Sequence, residues 1–195
     1  MFKNIILLFF TLTLVSCGEI IQPKLDTFKA EKDVFESGKS LISLPFDLHD
    51  LEEVTVDQNT LLIGVHGSNS PGYEWIYPLQ TLNDENNMVA FFRWDDEACP
   101  APSVSSLLSL IEKKISDNPN LNKIILLGHS YGGLLVVAFA EAWEMDFPLQ
   151  IHSIAAPLAG MGIFTSICNY EVPNNLRDNI AVSYTHLRAH ETEAY

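Results

Sequence analysis

A serine flanked by two glycines stands in the middle of the chain, in the pentapeptide Gly128-His129-Ser130-Tyr131-Gly132. An apolar run, Lys123–Leu127, precedes it, and a helix-like stretch, Leu134–Trp143, follows. A G-x-S-x-G pattern between a buried strand and a helix presents the serine at a sharp turn. The glycines let the backbone pass where a Cβ would clash, and the N–H groups that begin the helix favour developing negative charge. The sequence therefore predicts that Ser130 is a nucleophile.

The elements that must position this serine are visible as apolar runs. Strands are predicted at Leu61–Val65, at Met88–Trp94, at the run before Ser130 and at Ile151–Ala156, and a helix is predicted at Ser103–Ser116. Ile42–Leu48 and Val54–Val56 are weaker strand candidates, and Pro45 favours an edge position for the first of them. Because strands alternate with helices, we expect an α/β fold, a mostly parallel sheet with helices on both faces.

Three segments resemble the α/β-hydrolase family in its esterase and lipase branch. They are Val65-His66-Gly67-Ser68 after one strand, residues 128–133 after another, and Ala155-Ala156-Pro157-Leu158-Ala159-Gly160 after the next. The resemblance covers roughly Leu61 to Gly160. It implies a partial α/β-hydrolase fold and a serine hydrolase that acts on carboxylic esters through an acyl-enzyme. No cofactor and no metal are implied.

The same resemblance assigns roles around Ser130. Two backbone N–H groups form the oxyanion hole, one from Tyr131 and one from Ser68, with Gly67 as the runner-up for the second. The family's acid and base follow the nucleophile in the order Ser, Asp or Glu, His. His66, with Gly67, shapes the oxyanion loop and is not the base. Gly128, His129 and Gly132 support the turn.

Other candidate residues have weaker claims. His152 is expected in a strand or at its exposed edge, and His49 in a polar loop. Tyr73 and Trp75 either line an acyl pocket or, as loop aromatics, cover the core. The acidic run Asp95-Asp96-Glu97 is expected to be a solvated loop and not the source of the catalytic acid.

The character of the chain changes after Val182. Residues 183–192, Ser-Tyr-Thr-His-Leu-Arg-Ala-His-Glu-Thr, resemble the translated read-through of a sequencing-library adapter. His186 and His190 are therefore not assigned to a triad. We expect a partial domain at residues 41–182 and a foreign tail at 183–195, so that the acid and the base of the intact gene product are missing from this chain.

The N-terminus resembles that of a bacterial lipoprotein. Lys3 precedes a short apolar core, Ile5–Val15, which is too short to span a bilayer, and Leu14-Val15-Ser16-Cys17 resembles a lipobox. An ordinary signal peptide is the alternative. We expect a signal peptide at residues 1–16, acylation of Cys17 and a tether at 17–40. The protein would then be exported and anchored to the outer or the cytoplasmic membrane, facing outward or the periplasm.

Charge and cysteine content restrict the partners. The formal net charge is −14, with no basic cluster, which disfavours nucleic acid. Beyond Cys17 the chain has Cys99 and Cys168, which either form a disulfide or remain separate thiols. A small-molecule or lipid ester is the expected substrate. The alternatives are another acyl-transfer enzyme (a peptidase, a thioesterase or an acyltransferase) and a lipoprotein binding module without catalysis.

Overall fold

A mixed five-stranded sheet forms the centre of the part of the protein that the structure describes. The computed structural model describes residues 24–30, 32–158 and 168. In chain order the elements are a 3₁₀ helix (Leu25–Thr27), α1 (Val34–Ile42), β1 (Asp47–Asp50), β2 (Thr60–Val65), α2 (Tyr73–Thr81), β3 (Asn87–Arg93), α3 (Pro100–Asp117), β4 (Lys123–His129), α4 (Tyr131–Glu141) and β5 (Leu149–Ile154). The strand order is β1-β3-β2-β4-β5, in which only β1 runs antiparallel to its neighbour. The predicted α/β class, with a mostly parallel sheet, is confirmed.

Alternate side chains of the strands point to opposite faces of the sheet and fill two apolar cores. Leu61, Ile63 and Val65 pack in one core, which α3 and α4 cover. Leu62 packs in the other core, beneath α1 and α2. β2 is buried along its whole length because both of its faces carry helices. The prediction of helices on both faces is therefore confirmed.

The register of the sheet brings the two main sequence motifs together. Val65, the last residue of β2, pairs with Gly128 of β4. The strands run parallel, so their carboxyl ends lie at the same edge of the sheet. The loop that begins with His66 and Gly67 therefore starts beside the turn that carries Ser130.

The segment expected to be a tether departs from the prediction. Within residues 17–40, the described part contains the 3₁₀ helix and most of α1, and Leu25 and Phe28 are buried in the second core. The predicted domain start at residue 41 is therefore too late. Charged and polar residues surround these two apolar side chains in the sequence, so composition alone did not indicate that they are buried.

Several element boundaries also differ. The strand expected at Ile42–Leu48 is β1, at Asp47–Asp50, and it lies at a sheet edge but begins after Pro45. Val54 and Val56 belong to no strand and are exposed. α3 begins at Pro100, since proline is well suited to the first helical position, and α4 begins at Tyr131, directly after the serine. Helix α2 was not predicted.

Candidate active site

Ser130 is the single residue between β4 and α4, and its backbone is strained. Its φ is 54° and its ψ is −119°, which a residue with a Cβ rarely adopts. Two backbone hydrogen bonds hold this conformation: the Ser130 N–H donates to the Ile154 carbonyl at 2.9 Å, and the Gly133 N–H donates to the Ser130 carbonyl at 2.9 Å. The segment therefore has the strand–turn–helix form that a G-x-S-x-G serine requires.

The glycines of the pentapeptide are required by close backbone approach. A Cβ on Gly128 would lie 2.7 Å from the carbonyl carbon of Gly132 and 2.8 Å from the Cα of Gly133. A Cβ on Gly132 would overlap the carbonyl oxygens of Val65 and His66. α4 can therefore approach the ends of β2 and β4 only where side chains are absent.

Gly67 lies directly against the serine. A Cβ at this position would be 2.9 Å from the Cβ of Ser130 and 3.5 Å from its hydroxyl oxygen. Gly67 and Ser130 both line a cleft of about 190 Å³, which residues 68–71, Tyr73, Glu74 and His129 complete. A small group bound in this cleft would be in contact with the Ser130 hydroxyl.

A larger open groove of about 750 Å³ lies elsewhere, between residues 52–58 and 83–86. These loops precede β2 and β3, so the groove is at the amino ends of the parallel strands. Ligands of open α/β sheets bind outside the carboxyl ends. The smaller cleft at Ser130 is therefore the candidate site.

Tyr131 and Ser68, the two residues expected to supply the oxyanion donors, lie in different elements. Tyr131 is the first residue of α4, and its hydroxyl donates to the Ala98 carbonyl at 3.0 Å. Burial, with a smaller contribution from the charge of Asp96, raises the pKa of Tyr131 to about 12. Ser68 is exposed and lines the cleft one residue beyond Gly67.

His66 is buried and both of its ring nitrogens are occupied. Nδ1 lies 2.9 Å from the Gly67 carbonyl oxygen, and Nε2 lies 2.9 Å from Nη1 of Arg93. A guanidinium can only donate, so Nε2 must be the acceptor and Nδ1 must carry the proton. Burial above all, with the nearby positive charge of Arg93, lowers the pKa of His66 to about 4. The ring is therefore neutral at pH 7 and held in the wall of the site, where it does not serve as a base.

None of the other described histidines provides a base for the serine. The ring of His49 is buried in β1 and contacts the Pro45 carbonyl at 2.8 Å, so the expected polar loop is wrong. His152 is exposed on β5 beside Gln150. His129 borders the cleft, but no described side chain hydrogen-bonds to the Ser130 hydroxyl. The acid and base expected beyond Val182, like His186 and His190, lie outside the described residues.

The aromatic residues near the cleft belong to α2 and not to a loop. Trp75 is buried in the core, where a Cβ on Gly64 would lie 2.9 Å from its ring. Tyr73 borders the cleft and is 41% exposed. Trp75 therefore covers the core, whereas Tyr73 is placed to contact a bound group.

The sequence predicted that the acidic run after β3 is a solvated loop, but this holds for only part of it. The side chain of Asp96 is only 13% exposed and pairs with Arg93, with 3.3 Å between Nη1 and Oδ1. Its other oxygen accepts the Asn69 N–H at 2.7 Å. Sequence reasoning missed both Arg93 and Asp96, because neither lies near a motif and only the sheet brings residues 69 and 96 together.

Cys99 and Cys168, which the sequence left either paired or separate, form a disulfide with 5.4 Å between their Cα atoms. Cys99 directly precedes α3 and follows the loop that carries Asp96.

Among residues 24–30, 32–158 and 168, no three metal-ligating side chains cluster together. The helices in the described part are too short or too polar to cross a membrane.

Comparison with known proteins gives no match to any protein-family model and none to a curated protein. Any proposal about function therefore rests on the fold and on the geometry around Ser130.

Proposed function

We propose that this chain contains a partial α/β-hydrolase domain, and that the intact gene product is a serine hydrolase that acts on carboxylic esters, esterase- or lipase-like. The observation that carries the proposal is the strained backbone of Ser130 between β4 and α4. Strain of this kind is kept where the surrounding structure enforces it, and it concentrates at functional sites.

The proposed reaction begins at the hydroxyl of Ser130. Its oxygen bonds to the ester carbonyl carbon while its proton passes to a base, and the carbonyl oxygen becomes an oxyanion. The N–H groups of Tyr131 and Ser68 donate to that oxyanion, which typically lowers the barrier by about 3–4 kcal/mol for each donor. The alcohol then leaves with a proton, and water hydrolyses the acyl-enzyme.

The base and its orienting acid come from beyond Val182 in the intact gene product. The proposal is supported by the described residues, in which His66 uses both of its ring nitrogens and no side chain hydrogen-bonds to the Ser130 hydroxyl. A hydrolase with this nucleophile still requires a histidine, oriented by a carboxylate.

Ester turnover by the intact gene product tests the proposal. We expect hydrolysis of a short-chain ester, because the cleft at Ser130 is small, and we expect Ser130→Ala to abolish it. Ser109→Ala, which removes an exposed hydroxyl on α3, is the matched control and should retain full activity. Turnover of amides or thioesters in place of esters would favour another acyl-transfer enzyme. No Ser130-dependent turnover of any of these would favour the binding module.

We further propose that the protein is exported and lipid-anchored through Cys17, the residue that ends the lipobox-like segment. A single chain gives marginal membrane binding, so lipoprotein-type multiple acylation would be needed for stable attachment. Cells expressing the wild type should incorporate radiolabelled palmitate into the protein, whereas cells expressing Cys17→Ser should not. Equal labelling of the two proteins would contradict the anchor.

A further inference from the structure

The loop between β3 and α3, residues 94–99, contacts the segments that carry the two proposed oxyanion donors. It contacts Tyr131 directly and Ser68 through the next residue, Asn69. The Ala98 carbonyl accepts the Tyr131 hydroxyl at 3.0 Å. The Asp96 carboxylate accepts the Asn69 N–H at 2.7 Å, one residue beyond Ser68. The Trp94 indole donates to the His66 carbonyl at 2.9 Å. One loop thus fixes the chain on both sides of the cleft.

The Ser68 N–H is held through the two peptide units that flank this residue. Its own N–H shares a peptide unit with the Gly67 carbonyl, which accepts the His66 Nδ1–H at 2.9 Å. The described peptide bonds are all trans, so the Ser68 N–H points opposite to that carbonyl and away from His66. The next peptide unit carries the Asn69 N–H, which Asp96 holds. Both planes are therefore fixed, and the direction of the Ser68 N–H with them.

The Asp96 contact also maintains an unfavourable backbone conformation. Asn69 has a φ of 52°, a region that asparagine tolerates better than most residues but that still requires support. A hydrogen bond from an N–H to a carboxylate is stronger than one to a neutral acceptor. Without it, Asn69 could relax to negative φ, and the adjacent Ser68 peptide would rotate.

The carboxylate is itself held in place by the largely buried guanidinium of Arg93. The side chains of Arg93 and Asp96 are only 14% and 13% exposed, so solvent screens their attraction weakly. Nη1 of Arg93 contacts Asp96, the Trp94 carbonyl and Nε2 of His66. A closed series of contacts therefore runs from Asn69 through Asp96, Arg93 and His66 back to Gly67.

We propose that Asp96 is a positioning residue of the hydrolytic site, which holds the loop after Gly67 so that the Ser68 N–H points at the oxyanion. This role rests on the proposed function. Asp96 does not touch the substrate, and it acts through Asn69 and Arg93. The oxyanion exists only along the reaction path, so loss of the positioning lowers kcat and leaves substrate binding nearly unchanged.

Steady-state kinetics of the intact gene product on a short-chain ester test this role. We expect Asp96→Ala to lower kcat about 100-fold, since a misplaced donor approaches the cost of a deleted one, with KM within about twofold of wild type. Asp96→Asn keeps an acceptor for the Asn69 N–H but loses the charge, and should lower kcat about 10-fold. Glu97→Ala and Glu97→Gln make the corresponding changes one residue later, at an exposed carboxylate, and should keep kcat within about twofold of wild type.

A thionoester substrate separates positioning from a general loss of structure. Its C=S sulfur accepts hydrogen bonds poorly, so its turnover depends less on the oxyanion hole. The ratio of kcat for the ester to kcat for the matching thionoester should therefore fall in Asp96→Ala and Asp96→Asn, but not in the Glu97 variants. If Asp96→Ala does not fold, the ratio for Asp96→Asn decides.

The outcomes separate the positioning role from the function on which it rests. An unchanged ratio, or a raised KM at constant kcat, in an enzyme whose turnover depends on Ser130 would overturn the role of Asp96 alone. An intact protein without Ser130-dependent turnover would overturn the proposed hydrolase, and the positioning role with it.

Discussion

A Cβ on Gly67 would lie 2.9 Å from the Cβ of Ser130, closer than two such carbons pack. The loop after β2 and the turn after β4 are therefore packed so closely that position 67 has no room for a Cβ. The contact exists because Val65 pairs with Gly128, so that both segments leave the sheet at the same edge. Changes of side-chain size at positions 67 and 130 should therefore have coupled effects on the free energy of unfolding.

A double-mutant cycle between these two positions tests the coupling in the intact gene product. Ser130→Gly removes the backbone strain at φ 54°, whereas Ser130→Ala keeps it. The free energy of unfolding of Ser130→Gly should therefore be higher than that of Ser130→Ala by about 1 kcal/mol, once the greater entropy that glycine loses on folding is subtracted. Gly67→Ala should destabilise the wild type by about 1–3 kcal/mol through overpacking, and the Ser130→Gly variant by less. Urea denaturation measures all the variants.

The control for this cycle is Gly64→Ala, whose added Cβ would meet the Trp75 ring and not Ser130. Gly64→Ala should lower the free energy of unfolding by the same amount with serine or with glycine at position 130. Equal costs of Gly67→Ala in the two backgrounds would show that residues 67 and 130 are not in the contact described.

The buried imidazole of His66 should make stability depend on pH below neutrality. Its pKa is lowered from 6.5 to about 4, so between these values the unfolded chain binds a proton that the folded protein does not. Stability contributed by the neutral ring is therefore complete above about pH 6.5 and is lost as the pH falls toward 4, by about 3 kcal/mol in total. His66→Asn should flatten the dependence of the unfolding free energy on pH across that window.

The matched control is His152→Asn, because this histidine is exposed on β5, where it lies beside Gln150. Its profile should follow the wild type. A His66→Asn profile with the wild-type slope between pH 4 and 6.5 would contradict the buried, neutral state of the ring.

The strands nearest Ser130 could be predicted because they are buried on both faces. The runs that form β2, β3 and β4 are continuously apolar, which leaves little ambiguity. Helix α2 could not be predicted in the same way: Pro71 and Gly72 precede it and Pro78 lies within it, so its sequence indicates a loop. It is helical because Trp75, Ile76 and Leu79 pack on the sheet.

The candidate site was predictable only in part, for a similar reason. Ser130 and its glycines form a local motif, and a local motif can be recognised from spacing. Asp96 stands in a run of three acidic residues, a pattern typical of a solvated surface. Its partner Arg93 lies only three residues earlier in the chain, but its other partner, Asn69, is placed beside it by the pairing of β2 with β3. Such a contact depends on the register of the sheet, which the sequence does not state.

The Cys99–Cys168 disulfide should leave neither of these thiols titratable in the exported protein. Denatured without reductant, the protein should react with no thiol reagent at these positions, whereas Cys168→Ala should expose one thiol, that of Cys99. Because the bridge joins residues 69 apart in sequence, reduction should lower the free energy of unfolding by about 2–4 kcal/mol. Two titratable thiols in the mature wild type would contradict the pairing.

The 195-residue chain itself should be nearly inactive on esters, even where it folds. Without a base, the Ser130 hydroxyl is a poor nucleophile, and the oxyanion hole and binding alone leave only about 10³–10⁴-fold enhancement over water. Short-chain ester turnover of this chain should therefore be far below that of the intact gene product. Robust turnover that is lost in His186→Ala or His190→Ala would show that the segment after Val182 carries the base after all.

The most direct test of the central claim is covalent labelling with a fluorophosphonate probe. The nucleophilic oxygen bonds to phosphorus and fluoride leaves, so the probe marks an activated serine. In the intact gene product, peptide mass spectrometry should find the phosphonyl group on Ser130, and Ser130→Ala should remain unlabelled while Ser109→Ala is labelled as the wild type is. Absence of label from the intact, folded protein, or label on another serine that persists in Ser130→Ala, would contradict the assignment of Ser130 as the nucleophile.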